Sequence, residues 1–178
     1  MTSAIDSYRA AVPVHLDSWD LVDPARLLRD LSAATPLHTR RSLLCQVLRP
    51  ATDQILVAHT DAWPAGRPAD DMQAQDELEE AMRRIGHRDY EWDDDVRLTS
   101  AVVTVVIREG RAVPKASDFA VRSVLRYANN PFQVLKGDLI IVTPHGWITA
   151  FDELAGLEPV AVVADPADAL AARRLRRG

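Results

Sequence analysis

The chain has one cysteine, two lysines and seven glycines in 178 residues. One cysteine excludes an internal disulfide and any paired-cysteine redox or zinc motif. Cys45 lies in the apolar run LLCQVL, where a small buried residue is expected, because buried thiols are unreactive. No apolar run reaches the length that a membrane-spanning helix needs. The opening MTSAIDSYRAAVPVHLDSWD lacks the charged-then-apolar order of a secretory leader. These features together point to a cytoplasmic home. No glycine-rich phosphate loop, His-Glu-x-x-His or Gly-x-Ser-x-Gly element occurs, and no sequence repeat suggests a solenoid. The sequence names no cofactor.

Hydrophobic residues make up 47% and charged residues 26%, values of an ordinary globular protein. The length suits a single domain over 1–178, with 1–22 and 165–178 as peripheral segments. Net charge is −5, but it is segregated. Residues 61–95 carry twelve acids against four arginines, and residues 108–136 carry six bases against Glu109 and Asp118. The last six residues add four arginines. An acidic total argues against general nucleic-acid binding, which needs clustered cations.

The organising stretch is 98–151. Ala101–Ile107, AVVTVVI, is β-branched and apolar apart from Thr104, which predicts a central strand covered on both faces. Ser117 is the expected N-cap of a helix whose stripe is Val121, Val124, Leu125 and Ala128, ended by Asn129-Asn130-Pro131. A strand at Phe132–Leu135, a turn at Lys136-Gly137 and a strand at Asp138–Thr143 should follow. Thr143-Pro144-His145-Gly146 has hairpin-loop chemistry, with Trp147–Phe151 as the return strand.

Elsewhere, a short helix is expected over Ala4–Ala11 and a firmer one from Asp23-Pro24 to about Ala34, with Asp as cap and Pro in the first turn. Ser42–Leu48 and Gln54–His59 should be strands of a hairpin closed by 49–53. A helix spans Asp71–Ile85 and stops at Gly86, followed by a polar loop over 87–96. Val160–Ala164 is a short strand, and Asp165-Pro166 opens a terminal helix. Strands interspersed with helices in this order predict an α/β (α+β) fold: a mixed, mostly antiparallel sheet of about five to seven strands with helices packed on it.

Three constellations could carry chemistry. His59 and Asp61 follow one apolar strand and His145 another, each beside a tryptophan; strands pointing the same way would let them share a metal, with Asp93 or Asp95 as a further ligand. The order departs from the His-x-His zinc pattern of JAB/MPN-type peptidases, because Asp61 replaces the second histidine and Met72 stands at the acid's position. Glu91 and Asp93-Asp94-Asp95 lack the acid-x-Lys partner of a PD-(D/E)xK nuclease, so a solvated loop is expected. Arg111, Lys115, Ser117 and Arg122 could hold an anion at a helix start. Trp63, Trp92 and Trp147 flank loops and strand ends, where tryptophans anchor interfaces.

No complete catalytic set emerges. The leading expectation is a non-catalytic binding or accessory module acting through a protein partner or self-association. A metal-dependent hydrolase or nuclease using His59, Asp61 and His145 is the alternative. An anion- or nucleotide-binding regulator is the third.

Overall fold

The computed structural model describes residues 21, 23–48, 54–86, 100–132 and 134–163. They build a six-stranded sheet from β1 (Arg41–Leu48), β2 (Ile55–Asp61), β3 (Ser100–Ile107), β4 (Leu135–Thr143), β5 (Gly146–Thr149) and β6 (Ala155–Gly156). The strand order is β2-β1-β3-β4-β5-β6. Every neighbouring pair is antiparallel except β3–β4. Among the described residues three helices pack on the sheet: α1 (Pro24–Ala34), α2 (Asp71–Arg84) and α3 (Ala120–Ala128). The fold is thus α+β with a mixed, mostly antiparallel sheet.

β3 occupies the middle because both of its faces need cover. Ala101, Val103, Val105 and Ile107 join Leu27, Leu28 and Leu31 of α1 in one core. Val102 points the other way, into a core with Leu78 and Met82 of α2 and Val121 and Leu125 of α3. A parallel pair cannot close through a tight turn, so β3 and β4 need a crossover, and α3 supplies it.

Local chemistry starts the helices as expected. The Asp23 carboxylate accepts the Arg26 N–H at 2.8 Å, with Pro24 in the first turn. Asp70 accepts the Gln73 N–H at 2.8 Å and starts α2. Two residues beyond α2 comes Gly86, with φ +92, where the left-handed conformation ends the helix without a Cβ clash.

Some boundaries differ from the sequence expectations. Ser117 is not the cap: a 3₁₀ turn at Ala116–Phe119 precedes α3, and the Asp118 carboxylate reaches back to the Lys115 N–H at 2.8 Å. Lys136-Gly137 is not a turn between two strands. Val102 pairs with Lys136 and Thr104 with Leu139, so Gly137 and Asp138 together oppose Val103 as a β-bulge inside one strand. A Cβ on Gly137 would lie 2.7 Å from the Val103 Cγ2, which explains the glycine. Phe132 belongs to no strand and fills the α2–α3 core. The return strand stops at Thr149, and β6 follows. Of the strand expected at Val160–Ala164, the described residues 160–163 form only an isolated bridge between Val162 and His38. The helices expected at Ala4–Ala11 and from Asp165, the turn at 49–53 and the loop at 87–96 lie outside the described residues. Among the described residues no helix is long and apolar enough to cross a membrane.

Thr104, the one polar residue of the central run, is fully buried and its hydroxyl has no hydrogen-bond partner. An unpaired buried hydroxyl is costly, and valine has nearly the same shape. Thr104→Val should therefore stabilise the fold by about 1 kcal/mol. A higher urea midpoint at constant m-value checks it.

Candidate functional site

The expected metal residues stand apart. β2 and β4 do point the same way, since β1 is antiparallel to both β2 and β3 while β4 is parallel to β3. However, β1 and β3 lie between them. Three strand spacings put His59 and the end of β4 about 14 Å apart laterally. His145 lies farther still, exposed at the tip of the β4–β5 hairpin. Metal ligands must converge to about 2 Å from one ion. Asp61 is instead clamped by Arg41, Nε to Oδ1 at 2.8 Å and Nη2 to Oδ2 at 3.2 Å. Among the described residues no three His, Cys, Asp or Glu side chains are placed to hold a metal ion. Asp93 and Asp95 lie outside the described residues.

The structure places the expected interface tryptophans inside. Trp63 is 9% exposed and donates its indole N–H to the Ala74 carbonyl at 3.1 Å. Trp147 is 5% exposed and donates to the Glu158 carbonyl at 2.8 Å. Its ring rests on Gly156, where an added Cβ would come within 2.5 Å of it. Both rings are core anchors of loops. Trp92 is outside the described residues.

The expected anion set splits. The start of α3 already holds a carboxylate: Asp118, 2% exposed, takes Arg108 Nε at 2.7 Å, Arg108 Nη2 at 2.9 Å and the Lys115 N–H. Arg108 also donates to the carbonyls of Glu109, Arg111 and Val113, which fixes the loop. This internal ion pair sits where an external anion would have met the first turn. Arg111 and Lys115 are exposed on that loop. Ser117 borders a small cleft with Arg40 and Arg67.

Arg122 belongs elsewhere, to a cleft of about 370 Å³ between α3, the β4 bulge and the turn after β5. Phe119, Arg126, Tyr127, Lys136 and Phe151 complete it. The Arg122 guanidinium lies 4.5 Å from the Phe151 ring centroid and donates to the Gly137 carbonyl at the bulge. Phe119 meets Phe151 edge-to-face at 6.1 Å. Arg122, Arg126 and Lys136 are legible in the sequence as a basic cluster. The three aromatics are not, because Tyr127 and Phe119 flank the apolar stripe of α3 and Phe151 comes from a distant turn.

Asp138 was also missed, although an acid opening the run DLIIVT is itself a signal. It is 3% exposed, at the bulge. Oδ1 accepts the Leu139 N–H at 2.6 Å, and Oδ2 has no hydrogen-bond partner. Burial pushes the carboxyl up to about 6, aided by Asp152 and opposed by the Leu139 N–H, Arg122 and the Thr149 hydroxyl. Burial likewise pushes the Cys45 thiol up to about 12, so it is not a nucleophile.

The raised Asp138 carboxyl ties stability to pH. The folded state holds this proton up to about pH 6, whereas the unfolded chain releases it near its ordinary value of 3.8. Its contribution is therefore most favourable at low pH and falls away as pH rises from about 4 to 6. Asp138→Asn should stabilise the chain at pH 7.5 by about 1–2 kcal/mol, with the gain fading towards pH 4. Denaturant titrations at the two pH values test this; an equal difference at both would contradict it.

Compared with known proteins, the chain matches no family model, no curated protein and no solved structure.

Proposed function

We propose that this chain is a non-catalytic binding module that acts through a protein partner, a second copy of itself included, in the cytoplasm. The supporting observation is where apolar side chains are left in water. Ten large hydrophobic residues are exposed among the described residues, and five of them, Phe151, Leu154, Leu157, Val162 and Val163, fall within 151–163. Apolar side chains left exposed close together along the chain are the basis on which an interaction surface is inferred. The backbone beneath it is pinned. Thr149 donates to Leu154, Ala161 to Thr143 and Val162 to Leu37, while Trp147 holds Glu158. A surface fixed in advance loses little entropy on binding.

The sheet edge at β2 is the weaker candidate. Ile55 and Val57 are exposed there, beside a groove against α1. However, Gln46 pairs with Ala58 and Val47 with Leu56, so Val57 is an extra residue in the ladder. A bulge in an edge strand blunts pairing with another strand. The cytoplasmic part of the proposal rests on the lone, buried Cys45 thiol.

Leu157 is 80% exposed, so Leu157→Asp should change stability by no more than about 0.5 kcal/mol. It should nevertheless abolish association, measured by sedimentation velocity for self-association and by capture from native lysate for another partner. The proposal fails if the wild type stays monomeric at all concentrations and captures nothing, or if the variant associates like the wild type.

A further inference from the structure

The cleft beside α3 has the makings of a small-molecule site that adjoins the apolar surface at Phe151. Its volume of about 370 Å³ is of the size that holds a compact ligand. One wall is built and braced: Arg122 bridges the Gly137 carbonyl and the face of Phe151, and Phe119 props Phe151 from the side. Arg126 lies one helical turn beyond Arg122, and Lys136, just before the β4 bulge, lines the same cleft. Among the described residues neither Arg126 nor Lys136 has an ion-pair partner. Asp138, at the bulge, feels the charges of Asp152 and Arg122. Tyr127, 58% exposed, completes the rim.

Two cations without an ion-pair partner among the described residues, lining one cleft with three aromatic rings, select for a particular chemistry. An anion alone would leave the rings in water, and a neutral ring alone would leave the charges unanswered. Arginine favours oxyanions through paired N–H donors, and lysine adds a point charge. Tyr127 and the Phe119–Phe151 wall offer flat apolar surface to a ring.

We propose that this cleft binds a small organic anion, a phosphate or carboxylate carried on a flat ring, with the oxyanion between Arg126 and Lys136 and the ring against Tyr127 and the phenylalanine wall. The bulge at Gly137-Asp138 is then more than an irregularity. It turns Lys136 towards α3 and gives Arg122 the carbonyl that fixes its position. The site shares Phe151 with the partner surface, whereas Leu157 takes no part in it.

Calorimetric titration of the full chain with phenyl phosphate and with benzoate tests the proposal and separates the two oxyanions. One of them should bind saturably at one site per chain. Inorganic phosphate and phenol should each bind at least about tenfold more weakly, as should the ringed anion to the Arg126→Gln/Lys136→Gln double variant. Arg126 is exposed and Lys136 half-exposed, and glutamine keeps much of each stem, so the double variant should melt close to the wild type. Leu157→Asp should bind the ringed anion unchanged, which keeps this outcome separate from the fate of the partner surface. The proposal is overturned if neither ringed anion binds saturably, if inorganic phosphate binds equally well, or if the double variant retains wild-type affinity.

Discussion

The constraint on which the structure depends is the need to bury β3 on both faces. Every residue of Ala101–Ile107 is at most 9% exposed. A strand of that composition cannot lie at an edge or on an open face. It therefore takes β1 on one side and β4 on the other, α1 above, and α2 with α3 below. The apolar stripes of the three helices answer this demand. The remaining strands extend the sheet outwards, and they are progressively less covered.

That loss of cover creates the candidate site. α2 and α3 cover one face over β2, β1 and β3, through Ala58, Leu44 and Val102. A small satellite core, Val106, Leu139 and Ile141 with Phe119, Ile148 and Ala150, closes part of the gap. Beside it the flank of α3 stays open, and the cleft forms there. The same end of the sheet carries the exposed 151–163 segment, held in place by Trp147 and by close contact with Gly156. Two adjoining surfaces with different chemistry result. One is apolar and preformed, the other cationic and ring-lined.

Ion pairs play contrasting parts here. Arg108–Asp118 is nearly buried, and its loss would leave the Asp118 carboxylate facing an apolar interior. Arg41–Asp61 closes the end of β2 against β1 in a half-exposed setting, where such pairs contribute less. Both occupy residues that could be mistaken for functional ones. A carboxylate paired with an internal arginine is poorly placed to bind metal, and a helix start filled by its own aspartate does not await an anion.

The sequence by itself determined what depends on neighbours along the chain. Asp23-Pro24, the period of α2 and α3, the unbroken apolar run of β3 and the Pro144–Gly146 turn are all local, and each formed near its expected place. The mixed sheet followed from their order. What only the tertiary structure decided is which elements lie side by side. Two similar strand ends, one with His59 and one with His145, look alike in sequence but stand three strands apart, because strand order is fixed by how both faces of β3 are covered. Lys136-Gly137 looks like a turn until the packing of Val103 makes it a bulge. Trp63 and Trp147 look like surface anchors until the loops they hold are folded over them. The cleft joins Arg122, Lys136 and Phe151 from three elements, and no local pattern records a meeting made by long-range packing.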